Sequence, residues 1–200
     1  MARDAEGFNT DLVRVAVTGT IYKAETGAEM PAPGAPVGKD FVPLGTFDDD
    51  GVEHEFSEDT EEVKSWQRGT VRVIVTGRSL TLKMNALESS PAVLEEFYGS
   101  VPEIDADTKS VTLDIKPSVS RPKSAYLFEW KDGDDKVWRM LIPTGQVSEV
   151  ESPKFSSAEA VAWGMTVQAL GGGELLAQWQ ITDPAFAADM PTDNVPPSGE

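Results

Sequence analysis

The sequence predicts a mostly β domain, an antiparallel two-sheet sandwich or partly closed barrel with one or two short helices. Apolar and polar residues alternate with period two through most of the chain, as with Val13, Val15 and Val17 against Arg14, Ala16 and Thr18. Breaks rich in glycine, proline and aspartate separate these runs and read as turns and loops. At 200 residues and 40% hydrophobic content the chain can bury one core, so a single domain is expected.

Residues Met1–Asp11 form an N-terminal arm, followed by a β domain over 12–182. Its first strand is Leu12–Lys23. Ala24–Lys39 holds Pro31, Pro33, Pro36, Gly27, Gly34 and Gly38 and reads as a long mobile loop. Strands are expected at Phe41–Phe47 and Val52–Ser57, with Asp48-Asp49-Asp50-Gly51 as the hairpin turn that Asp-Gly favours. Asp59, with Glu62 three residues on, caps a first predicted helix that places Val63 and Trp66 on one face. Strands then follow at Thr70–Thr76 and Ser79–Leu87.

Ser90 caps a second helix, with Pro91 at its first position and Gly99 just past its end. Val93, Leu94 and Phe97 make its apolar stripe, so Val63, Trp66, Val93, Leu94 and Phe97 form the candidate helix–sheet core. Further strands are Val111–Lys116, Ala125–Lys131 and Lys136–Ile142, extended by Gln146–Val150 after a Pro-x-Gly turn. Asp132-Gly133-Asp134-Asp135 is another turn. Glu159–Leu170 and Glu174–Thr182 read as a hairpin around Gly171-Gly172-Gly173, which takes positive φ freely. Residues 183–200, with four prolines and no basic residue, read as a disordered C-terminal tail.

Composition removes several chemistries. No cysteine is present, which excludes disulfides and thiol nucleophiles. A single histidine, His54, excludes multi-histidine metal sites, and its strand face is shared with Val52 and Phe56. A net charge of −17 argues against a protein that grips nucleic acid, because that affinity comes from Lys and Arg neutralising phosphates. Counting from Asp48, an EF-hand loop fails at Val52 and Glu53. Gly34–Lys39 lacks the phosphate-loop spacing, and no Gly-x-Ser-x-Gly elbow occurs.

Carboxylate pairs are expected by chance at this acid density and do not identify a glycosidase. Trp66, Trp130, Trp138, Trp163 and Trp179 read more readily as core or interface than as a sugar-binding face. No enzyme activity, catalytic residue, metal or cofactor is assigned. The first residues lack a signal-peptide core, and the charge-free run 160–173 is too short and glycine-rich for a membrane span, so cytoplasmic synthesis is expected. Ten acids and no Lys or Arg fall between Asp40 and Glu62, where Glu53 and Glu55 share one strand face.

The order of the pieces adds to this reading. An acidic turn and strand run into EDTEEVKSWQRGTVRVIV (Glu58–Val75). LTLKMNALESSPAVLEEFYG (Leu80–Gly99) follows, and later VWRMLIPTGQVSEVESPKFSSAEAVAWGMTVQAL (Val137–Leu170). From about Leu12 to Thr182 this resembles the major tail proteins, or tail tube proteins, of long, non-contractile-tailed bacteriophages.

The resemblance implies a structural virion protein whose subunits form hexameric rings stacked into a hollow tube for DNA ejection. It implies contacts with other copies of itself and with tape measure, tail terminator and distal tail proteins. Double-stranded DNA would pass without specific binding, no membrane is engaged, and assembly takes place in the bacterial host cytoplasm. On this reading Glu53, Glu55, Asp48, Asp49 and Asp50 are the candidate acidic lumen face, and the 24–39 loop and N-terminal arm bridge subunits. The alternative is a β-sandwich binding module, carbohydrate-binding or virion-decorating, with acidic loops that hold calcium.

Overall fold

In the computed structural model, which describes residues 7–118, 120–171 and 175–190, every strand pairing is antiparallel. The strands are β1 (Thr18–Ala24), β2 (Val42–Pro43), β3 (Phe47–Ser65), β4 (Gly69–Ala86), β5 (Glu103–Asp105), β6 (Ser110–Thr112), β7 (Ser124–Lys131), β8 (Val137–Val150), β9 (Trp163–Ala169) and β10 (Gln178–Thr182). Helices α1 (Pro91–Tyr98) and α2 (Pro184–Asp189) interrupt and close the series. The main sheet runs β2-β1-β7-β8-β9-β4-β3, with β10 also on β8, and β5-β6 forms a separate ribbon. This is the mostly β antiparallel architecture expected from the alternation.

The inner face of the main sheet carries Ile21, Leu82, Met84, Tyr126, Met140, Ile142, Met165 and Val167, all fully buried in one cluster. Each such aliphatic side chain contributes roughly 2 kcal/mol by leaving water. The sheet curls over this cluster until β1 approaches the start of β3, leaving a partly closed barrel with a seam. Helix α1 packs against β8 and β9, with Val93 and Phe97 buried and Leu94 half-buried at the margin.

Local chemistry sets the ends of α1. The Val93 N–H donates to Ser90 Oγ at 3.3 Å, and Gly99 takes φ 66°, a left-handed conformation that favours glycine. Arg121 donates to the carbonyls of Glu96 and Phe97, which have no partner within the last turn. Glu96 is buried: the Tyr126 hydroxyl donates to its Oε2 at 2.6 Å, and Lys23 Nζ lies 2.5 Å from its Oε1. Burial works to lower the Lys23 pKa, but bonds to Glu96 and Glu95 outweigh it and hold the ammonium above its ordinary value. Burial, then the Glu96 charge, pushes the Tyr126 hydroxyl strongly up, so it stays a donor.

The segment expected to be a mobile loop instead covers the outer face of β1, β7 and β8. Phe41 is buried with Ala125, Leu127 and Leu141, and Ala28, Met30 and Val37 pack against them. Beneath it Arg139 pairs with Glu129 at 2.6 Å and donates to the carbonyls of Ala32 (3.3 Å) and Ala35 (2.7 Å). Gln180 Nε2 donates to the Pro31 carbonyl at 2.8 Å. The segment has no hydrophobic period for a sequence reading to find. Its anchors come from strands more than a hundred residues away.

Other boundaries also differ. The first strand starts at Thr18, not Leu12, because residues 10–12 form a 3-10 turn and Val13–Ala16 lie outside the ladder, which Val17 joins only through its N–H to the Lys131 carbonyl at 3.0 Å. Asp48–Gly51 is no hairpin turn: the register passes from Phe47↔Ala86 to Val52↔Met84, so these residues bulge out of one continuous β3. Pro143-Thr144-Gly145 likewise stays inside β8, at a register shift opposite Ser124 and Tyr126. A Cβ on Gly145 would lie 2.9 Å from the Tyr126 ring, so glycine is needed there.

The expected hairpin of 159–170 with 174–182 is not formed. β9 pairs with Gly145–Val150 and β10 with Val137–Leu141, so both lie end to end along one flank of β8. Of the triple glycine, 172 and 173 lie outside the described residues. The small β5-β6 ribbon replaces the longer strand expected at Val111–Lys116.

Residues 184–189, expected to be disordered, are helical; 191–200 and the arm residues 1–6 lie outside the described residues. Asp183 caps α2 through the N–H groups of Ala185 and Phe186, and its carboxylate receives two bonds from Arg14, at 2.5 and 2.9 Å. The Arg14 bond, then these N–H groups, hold Asp183 below the usual carboxylate range against an opposing effect of burial. A depressed folded pKa stabilises the native state above the unfolded value of about 3.9, and this is lost as pH falls through the folded pKa. Acidification below about pH 4 should therefore raise hydrogen exchange in α2. Asp183→Ala should abolish that step and cost at least about 1 kcal/mol, the ordinary value of a lost N-cap, read from urea unfolding.

Candidate assembly surface

Only the inner part of the β3–β4 hairpin belongs to the body. Thr81–Ala86 of β4 pair with β9, whereas Gly69–Leu80 pair with β3 alone. From Phe56 to Trp66 this ribbon projects roughly 33 Å, at about 3.3 Å per residue. Ser57 and Ser79 hydroxyls meet at 2.7 Å, Arg78 pairs with Glu58 at 2.8 Å, and Thr70 donates to Glu62 at 3.0 Å. Register shifts at Asp59/Thr60 and Val63/Lys64 add local twist. Gly69, at φ 71°, allows the turn.

The ribbon is apolar on both faces. Phe56, Val73 and Val75 continue the core-facing side, Val63 and Ile74 lie on the other, and all are exposed. Its outer edge leaves β3 unpaired, since β3 ends the sheet order. Exposed β-branched residues beside an open edge are the sheet feature most prone to pair with another chain.

This ribbon overturns the first predicted helix. Asp59 faces Gly77, Val63 faces Arg72, and Trp66 stands at the tip, 98% exposed. Val63 and Trp66 therefore do not belong to the helix–sheet core. A capping pattern over eight residues competes here with Thr70–Val75, a β-branched run that supplies Thr60–Ser65 with a complete ladder. That run, beside Gly69, was the available signal for a hairpin.

The acidic candidates divide into two places. Glu53 and Glu55 lie opposite Lys83 and Thr81 on the face turned away from the core. Across β9 and β8 that surface continues with Gln168, Glu149 and Glu151, the last two missed by the sequence reading. Lys83 Nζ sits 2.7 Å from Glu151, and this hydrogen bond holds the Lys83 pKa above its ordinary value. Asp48, Asp49 and Asp50 instead sit in the bulge near the seam, where Asp48 Oδ2 accepts from Asn85 at 2.7 Å.

The tryptophans separate as well. Trp163 is buried and donates to Ser89 Oγ at 3.0 Å. Trp130 and Trp138 stack at 4.9 Å, with Trp179 and Phe186 edge-on to Trp138. His54 is exposed, 6.2 Å from the Trp179 ring. Among the described residues, no three His, Asp or Glu side chains are placed to share a metal ion.

The family model described as phage tail tube protein matches residues 6–191. No curated protein matches the chain. Among solved structures, the anti-feeding prophage cap (AFP tube terminating cap) is similar at 13% identity and TM-score 0.50, over 90% of this chain and 99% of that one. The PVC sheath/tube terminator of an extracellular contractile injection system is 11% identical, with TM-score 0.48 over 83% and 95% of the two chains. At these identities the likeness concerns the fold.

The ribbon and the barrel should respond differently to truncation. Trp66→Ala should leave the urea-unfolding free energy of the monomer within about 0.5 kcal/mol. Leu82→Ala, in the fully buried cluster, should cost about 2–5 kcal/mol.

Proposed function

The chain belongs to the phage tail tube protein family, a structural component of the virion tail and not an enzyme, and from that premise we propose that it forms the tube itself. In this reading subunits close into rings, hexameric by the likeness to non-contractile long tails, and the rings stack into a conduit for DNA ejection. The observation that carries it is the projecting β3–β4 ribbon. It exposes apolar residues on both faces and an open edge, and among the described residues the ribbon has no further partner strand beyond Thr81. Head-to-tail contacts of this kind generate rings when they close and filaments when they do not. The Val13–Val17 stretch, whose three valines are exposed, is a second bridging element.

Charge supports the conduit. DNA presents about one negative charge per ~1.7 Å of axis. A wall bearing Glu53, Glu55, Glu149 and Glu151 offers no counterion-release gain, so DNA would slide without being held. We assign this surface to the lumen. Tape measure, terminator and distal tail proteins are the further partners of the tube in this proposal, and the bacterial cytoplasm is its place of assembly.

Electron microscopy of concentrated purified protein tests the proposal: rings or hollow tubes are expected, and a persistent monomer would overturn it. At −17 per subunit, repulsion opposes stacking. Raising salt from low to moderate levels should therefore promote polymerisation, as measured by light scattering.

A further inference from the structure

The ribbon tip is chemically unlike the rest of the molecule. In a chain with 34 acidic and 17 basic residues, positions 63–72 hold Lys64, Arg68 and Arg72 and no acid. Trp66 lies between them, 98% exposed. The tip thus presents a bare indole beside Arg68 and Arg72, with Lys64 paired to Glu62 at 3.2 Å, and nothing among the described residues covers the ring.

At the other end of the same ribbon, the seam between β1 and the start of β3 opens as a groove of about 660 Å³. Phe128 and Trp130 line it, left open because Gly19 carries no side chain. A Cβ there would lie 3.4 Å from the Phe128 ring. Asp48, Asp49 and Asp50 form the acidic side. Asp48 is held in place by the Asn85 amide, which donates to its Oδ2 at 2.7 Å, while Asp49 and Asp50 are exposed. Aromatic lining and an acidic rim complement an indole and its flanking cations.

A chain cannot fill its own groove. Val52, at the groove, and Trp66 are separated by roughly 45 Å of β-ribbon at about 3.3 Å per residue. We propose that the tip of one copy, Trp66 with Arg68 and Arg72, docks in the groove formed by Gly19, Asp48–Asp50, Phe128 and Trp130 of a second copy. The contact joins two different surfaces, so it repeats in one direction from copy to copy. It rests on the self-assembly reading above and names the surfaces that meet.

Four variants of the full chain test it by electron microscopy and sedimentation at fixed salt and protein concentration. Trp66→Ala empties the tip, and Gly19→Leu fills the groove at a position outside the left-handed φ region. Both should weaken assembly at least tenfold, and Trp66→Ala should do so with an unchanged monomer melting temperature. The charge-reversed tip (R68E/R72E) and the charge-reversed groove (D49K/D50K) should each fail to assemble alone. Mixed together, every tip again meets a groove of opposite sign, and co-assembly should return.

Trp66→Ala assembling like the unaltered chain, or mixed reversals staying apart while the unaltered chain assembles, would overturn this docking and leave the tube proposal standing. An unaltered chain that never assembles would overturn both.

Discussion

The ladder along β8 is the interaction on which the rest of the structure depends. Its fourteen residues bond β7 on one flank and both β9 and β10 on the other. Alternate side chains feed two separate cores. Met140 and Ile142 enter the inner cluster, whereas Leu141 joins the outer one under the 24–41 segment. An antiparallel strand buried on both faces must satisfy every amide in its neighbours. The pattern therefore forces β9 and β10 onto a common line and holds Pro143 at a register shift, where its missing N–H is tolerated.

Charged groups inside this frame act as fasteners. Glu96 ties α1 to the sheet through Tyr126 and Lys23, Arg139, held by Glu129, ties the proline-rich segment down through the carbonyls of Ala32 and Ala35, and Asp183 ties α2 to Arg14. Each pairs a buried or half-buried charge with an opposite one and adds hydrogen bonds, the condition under which burial of charge is tolerated. They fix peripheral pieces on a barrel that would otherwise leave them loose.

The ribbon follows a different logic. A core of this size can cover β3 and β4 only as far as β9 reaches, and beyond Leu80 the two strands continue without support. Exposed as they are, Val73, Ile74 and Trp66 bury little apolar surface in the monomer. Their β-branched and aromatic character makes sense as surface awaiting another chain. The acidic face and the basic tip then place opposite charges at different ends of one element, which suits directional association.

Much of the architecture was legible in the sequence because period-two alternation, turn residues and the Ser90–Pro91…Gly99 signature are local and have single physical meanings. These gave the antiparallel β class, β7, the 132–135 turn and α1. Local patterns were ambiguous where a distant partner decides. Asp59–Trp66 scans as a capped helix until Thr70–Val75 is laid beside it. Gly171-Gly172-Gly173 scans as a hairpin turn until β8 claims both flanking strands. Glu53 and Glu55 were visible as one face, but Glu149 and Glu151, nearly a hundred residues away, join it only across β4 and β9. The sequence by itself determined which residues alternate, cap and turn. Only the tertiary structure decided which strands meet, and so which apolar side chains stay bare, because pairing is a contest among segments far apart in the chain.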